Sequence, residues 1–258
     1  MAEHDGAMSA APLRLARWLI PRSYRRKIAR GVRSVMLRPR IGHIEFGDLR
    51  RLAPISPDWG FDRGTVIDRY YIDRFLARHA RDVHGHVLEI GTDEMTKKYG
   101  GSQVVRGDVL HVTNAGPPVT IVGDLSDGEG IPSNCFDCVI LTQTLNFVYD
   151  VRAVVDTLHR ILKPGGIALA TVPAVTKISR YDMDRWGQYW SFTTKSARRL
   201  FEERFSPAGV TVEAAGNVLA AMAFLQGIAA EELTREELDH LDPDFETLIG
   251  IRAVKAEG

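Results

Sequence analysis

Residues 136–173 read FDCVILTQTLNFVYDVRAVVDTLHRILKPGGIALATVP. Phe136 to Thr142 is a short, mostly apolar run, which predicts a buried strand. Val151 to Leu162 reads as a helix, stopped by Lys163-Pro164-Gly165-Gly166. Ile167 to Val172 is a second apolar run. Strand, helix and strand in that order predict a crossover unit of a parallel sheet.

The same alternation extends outward in both directions. Upstream, Ile67, Tyr70, Tyr71, Phe75 and Leu76 share a helical stripe, which predicts a helix over 66–82. Short strands are predicted at His86–Gly91, Gln103–Val109 and Val119–Val122. Downstream, the pattern predicts a helix at Ser196–Phe205 and a strand at Val210–Ala214. A helix at Leu219–Leu233 and a last strand at Thr247–Val254 follow. The expected architecture is α/β, a doubly wound sheet covered on both faces. In such sheets ligands sit outside the carboxyl ends of the strands.

The 33 basic and 33 acidic residues cancel, but they are unevenly placed. Ten basic residues and no acid lie between Arg14 and Arg40, leaving 23 basic against 33 acidic elsewhere. Ile28, Val32, Val35 and Met36 recur there at helical spacing. A basic amphipathic segment with Trp18 reads as a helical arm that meets a membrane surface or a partner, or that packs on the main domain. The domain reading is a disordered stretch over 1–12, the arm and an irregular linker over 13–64, and the main domain over 65–258. No apolar run is long enough to span a bilayer. Two cysteines and no secretory signal point to the cytosol, with peripheral contact at the inner membrane face through 14–40.

Several chemistries are excluded by motif. No GxxxxGK[ST] loop and no GxGxxG occur, which argues against P-loop and dinucleotide sites. Cys135 and Cys138 run into a strand, which suits core packing rather than redox or zinc chemistry. The histidines, His159 in its helix included, have no ligand spacing, so no metal site is expected. Asp182-Met183-Asp184 is too short a signal to imply one.

Three acids stand along successive expected strands: Glu89 in the first, Asp108 ending the second and Asp124 after the third. Such a row suits a cofactor that offers an amine, ribose hydroxyls and an adenine amine.

The stretches VLEIG (87–91), GDL (123–125), FDCVILTQTLNFVYD (136–150) and LHRILKPGGIALATVP (158–173) resemble class I S-adenosylmethionine-dependent methyltransferases of the small-molecule, type 11-like subgroup. The resemblance runs from about Asp68 to Val254. WGFDRGTVIDRYYIDRFL (59–76) resembles bacterial members associated with surface-polysaccharide synthesis. It implies a Rossmann-like sheet of seven strands with the last antiparallel, and S-adenosylmethionine as cofactor. It implies Glu89 and Gly91 near the methionine part, Asp108 on the ribose, and Asp124 with Leu125 on the adenine. Thr142 and Gln143 would line the sulfonium side, with Tyr70 and Tyr71 covering the cofactor carboxylate.

One departure is plain. The loop EIGTDEMTKKYGG carries Thr92, Asp93 and Glu94 where the family has spaced glycines. Either the cofactor binds against a remodelled loop, or binding has been lost.

Aromatics after the fifth strand, Tyr181, Trp186, Tyr189 and Trp190, are the expected substrate contacts, because such rings stack on sugars. No catalytic base stands out; Asp68, Tyr181 and Asp182 are candidates. The reading is methyl transfer to a hydroxyl of a small molecule, saccharide or glycolipid. The alternatives are a non-catalytic methyltransferase-like binding module of a glycan-assembly system, or a nucleic-acid methyltransferase. The last is disfavoured, since no Asn/Asp-Pro-Pro-Tyr/Phe tetrapeptide is present.

Overall fold

A computed structural model describes residues 39–257. The expected disordered start and the basic arm as far as residue 38 lie outside the described residues. The chain divides into two compact units, with the boundary in sequence between Arg51 and Leu52. Of the first, residues 39–51 are described, an exposed stretch with one 3-10 turn at Gly47–Leu49. The second unit begins at Leu52, so the stretch assigned to the linker over 52–64 belongs to it. Ser56 is buried there and its N–H donates to Gln226 O at 3.0 Å.

Seven strands form one sheet among the described residues, in the order β3-β2-β1-β4-β5-β7-β6. They are β1 Gly85–Ile90, β2 Val104–His111, β3 Ile121–Val122, β4 Phe136–Thr142, β5 Leu162–Pro173, β6 Val210–Ala215 and β7 Leu248–Val254. β1 through β5 pair in parallel, and β7 runs antiparallel to both β5 and β6. The expected seven strands with an antiparallel last one are those observed. The helices are α1 Ile67–Arg78, α2 Val151–Ile161, α3 Arg180–Met183, α4 Thr194–Glu202, α5 Val218–Gln226 and α6 Arg235–Asp239.

The period-2 alternation of strands divides the core between two faces. Val139 and Leu141 of β4 pack with Val154, Val155 and Leu158 of α2 and with Leu200 and Phe201 of α4. Cys138 and Ile140 pack on the other face with Ile72 and Phe75 of α1 and Phe224 of α5. Asp150 caps α2 by accepting from Ala153 N at 3.0 Å. Thr193 and Ser196 form a reciprocal cap on α4.

Several element bounds differ from expectation: β5 starts at Leu162 and takes in Lys163-Pro164-Gly165-Gly166, and β3 spans Ile121–Val122 alone. β2 runs two residues further, to His111, because its ladder with β1 continues to Ile90↔Leu110. The stretch between β1 and β2 is too short for a full α-helix and holds a π turn at Thr96–Gly100 instead. The helix expected over 219–233 stops at Gln226. Gly227 takes φ +69 there, and a Cβ would collide with the Ser56 backbone.

Candidate cofactor and acceptor site

The carboxyl ends of the parallel strands carry Gly91, His111, Asp124 and Thr142-Gln143. Gly91 turns the chain at φ +83, a conformation side chains rarely adopt, and a Cβ there would meet open space. Its N–H donates to Leu110 O at 2.9 Å.

Glu89 does not reach this open space. Its carboxylate is buried and accepts from Met95 N at 3.1 Å and Thr96 N at 2.7 Å, holding the remodelled loop from beneath. Burial raises its pKa, and those backbone donors only partly offset the effect. Asp108 is likewise spoken for. It pairs with Leu88 inside the ladder, and its carboxylate meets His86 Nε2 at 2.6 Å and Arg106 Nε at 3.0 Å. Burial would raise its pKa, but hydrogen bonds from His86, Thr120 and Arg106 hold it below the ordinary carboxylate range. The residue at the end of β2 is His111, three positions on, with Trp186 edge-on at 6.1 Å.

Asp124 follows β3, and its carboxylate accepts from Ser126 N at 2.8 Å. The Leu125 side chain is buried in the core. The Tyr71 side chain is core as well: its hydroxyl donates to Leu238 O at 2.9 Å, and burial pushes its pKa up to about 12.

Thr142 and Gln143 line a cavity of about 310 Å³ over the ends of β4 and β5. Gln143 takes φ +51 and its N–H donates to Thr171 O at 2.9 Å. Trp59, Phe61, Phe147 and Phe224 supply the aromatic wall, and Asp68, Asn146, Gln188 and Thr247 the polar one. Trp59 also takes a positive φ of 63°, a strained state for a bulky residue, and Lys177 Nζ lies 4.3 Å from its ring centre. Three oxygens on this wall have no hydrogen-bond partner: Asp68 Oδ1, Asn146 Oδ1 and Thr247 Oγ1. Asn146 is 3% exposed and Thr247 1%. Buried polar atoms are rarely left unpaired without a reason.

The expected substrate aromatics do not converge on this cavity. Tyr181 is exposed and stacked under Arg185. Tyr189 and Trp190 cluster with Tyr149, at 5.4 and 5.9 Å between ring centres. Trp190 lines a separate cleft of about 890 Å³ beside α2 and α4. Composition pointed to rings, but only the chain path tells which rings face the cavity. Trp59 and Asn146 stand within the two quoted stretches 59–76 and 136–150; their signal was present but unassigned. Thr247 carried none.

The residues fit S-adenosylmethionine on its methionine side and not through the two internal acids. Gly91 leaves room above β1, and Thr142 and Gln143 stand at the end of β4, the neighbouring strand in the sheet. No cluster of three potential metal ligands occurs among the described residues.

Residues 76–170 match the family described as a methyltransferase domain. The match spans β1 through most of β5. Among curated proteins, a probable polyketide synthase of Dictyostelium discoideum is 31% identical over 71 residues, 28% of this chain and 3% of that one. This chain therefore spans only a small part of that relative. Solved structures similar to it include a SAM-dependent methyltransferase from Archaeoglobus fulgidus (12% identical, covering 72% of this chain and 93% of that one, TM-score 0.49). Another is the N-methyltransferase NodS of Bradyrhizobium japonicum in complex with S-adenosyl-L-homocysteine (13% identical, 78% and 94% covered, TM-score 0.48). The segment 76–170 is thus similar to methyltransferase domains, and S-adenosylmethionine is the methyl donor such domains take.

Proposed function

We propose that this chain is an S-adenosylmethionine-dependent methyltransferase whose acceptor is a hydroxyl of a small molecule, saccharide or glycolipid. The observation that carries the reading is the cavity beside Thr142 and Gln143 with its three unpartnered oxygens. When bound, S-adenosylmethionine supplies an electrophilic methyl group on a sulfonium. Gly91 would pass close to its methionine part, Thr142 and Gln143 would line its sulfonium side, and Asp124 would accept from the adenine amine. The aromatic and polar walls suit a ring bearing hydroxyls, which supports the saccharide class and a role in polysaccharide synthesis. Orientation of two reactants in one cavity supplies much of the rate enhancement in such a displacement. The basic segment 14–40 would hold the enzyme at the anionic inner membrane face, near a lipid-linked acceptor.

A second reading, a methyltransferase-like module without catalysis, is favoured by one observation. Glu89 and Asp108 are both engaged inside the protein. Calorimetric titration with S-adenosylmethionine and S-adenosylhomocysteine separates the two. Micromolar binding is expected, weakened at least about tenfold by Gly91→Val, whose side chain fills the open space and adds about 1–2 kcal/mol of backbone strain. A folded protein that binds neither nucleoside sinks the enzyme reading.

A further inference from the structure

We propose that Asp68 is the proton acceptor for the hydroxyl that receives the methyl group, and that Asn146 and Thr247 hold a neighbouring hydroxyl of the same acceptor. The inference rests on the methyltransferase reading and deepens it. Asp68 stands in the first turn of α1, on a helix packed against the sheet, and lines the same cavity as Thr142 and Gln143. Its Oδ1 is buried and has no partner. The other charged residues lining the cavity are Arg69, next to it on α1, and Asp182 of the four-residue α3. Burial raises the Asp68 pKa, and the Arg69 charge and backbone N–H offset only part of that. A carboxylate so placed is a better base than an exposed one, because its proton affinity moves toward the working pH.

The two other unpartnered oxygens set the acceptor class. Asn146 and Thr247 line the same cavity, are almost fully buried, and each keeps one side-chain oxygen without a hydrogen-bond partner. One carboxylate, one amide and one hydroxyl beside the Trp59 ring match a polyol ring with more than one hydroxyl, the chemistry of a saccharide. The acceptor oxygen bonds to the methyl carbon as the carbon–sulfur bond breaks and its pair stays on sulfur. The hydroxyl proton passes to the Asp68 carboxylate, so charge and atoms balance.

The test needs no acceptor. S-adenosylhomocysteine has nothing where the methyl group would be, whereas sinefungin presents a charged amine there. A carboxylate facing that position forms a charge-assisted hydrogen bond with sinefungin alone. Titration of the full chain at pH 8 is expected to show sinefungin bound at least about tenfold more tightly than S-adenosylhomocysteine. Asp68→Asn should erase that preference and leave S-adenosylhomocysteine affinity within about twofold, which also shows that the variant is folded. Asp182→Asn should retain the preference. In the wild type the preference should fade as pH falls through the raised Asp68 pKa. A wild type without the preference, a preference that survives in Asp68→Asn, or one lost in Asp182→Asn overturns the assignment while the cofactor reading stands. A folded wild type that binds neither compound overturns both.

Discussion

A carboxylate near a strand end serves whichever donor reaches it, and spacing along the chain does not say which. Asp108 shows this. Read as the end of the second strand, it was the expected ribose contact. In the structure His86 Nε2 lies 2.6 Å from its carboxylate, and the strand continues to His111. The pair is formed by β1 and β2 lying side by side, 22 residues apart in sequence. Asp108→Asn is therefore expected to act on stability, by about 2–3 kcal/mol, since it weakens a buried charge-assisted bond. It should leave S-adenosylhomocysteine affinity almost unchanged. Chemical denaturation alongside calorimetry checks both; a selective loss of nucleoside binding would restore Asp108 to the ribose. Glu89 follows the same logic, since the loop it supports supplies the two N–H groups it accepts. Gln143 and Gly91, by contrast, are turned toward the strand ends by positive φ, and both were legible as strand-end residues.

Strands and helices were more legible than their ends. β4 has the expected limits, because an apolar run bounded by turn residues admits one reading. The Leu219–Leu233 pattern is apolar enough to continue a helix, yet α5 ends at Gln226, where the segment before α1 lies against it. Helix α1 and the turn after it are tied to the sheet by Arg252 of β7. Its guanidinium meets the Asp82 carboxylate at 2.7 and 3.0 Å. Burial works against ionised Asp82, but hydrogen bonds from His79 and Arg252 outweigh it and lower its pKa well below the usual range. The sign follows: a carboxylate more acidic when folded than unfolded stabilises the fold above its unfolded pKa of about 3.9 and loses that contribution as pH falls further. Asp82→Asn should cost about 1–3 kcal/mol at pH 7 and only somewhat less at pH 3, where the folded carboxylate is still ionised while the unfolded one is largely protonated. Urea unfolding at the two values reads this, and an equal loss at both would remove the ion pair from the account.

At the scale of the whole chain, charge separates the two ends of the sequence. The ten basic residues between Arg14 and Arg40 leave an acidic remainder. No described helix is long and apolar enough to cross a membrane. Attachment through the basic segment predicts that the full chain sediments with vesicles containing anionic phosphatidylglycerol, and far less with phosphatidylcholine alone. Removal of residues 1–40 should abolish sedimentation, and about 0.5 M salt should suppress it by screening. Equal binding to both vesicle types would argue against an electrostatic anchor.

By itself the sequence determined the α/β class, the parallel run of strands and the crossover at residues 136–173. Those follow from hydrophobic period and turn chemistry, which are local. It also carried the family likeness and the strand-end pair Thr142-Gln143. Only the tertiary structure decided that Asp68 of α1, Asn146 after β4 and Thr247 before β7 share one cavity, and that the expected aromatics do not. Those residues are brought together by helix-on-sheet packing and by the antiparallel return of β7, contacts that no window of the chain contains. Whether a polar group finds its partner inside the protein depends on such neighbours, and that separates Asp108 from Asp68.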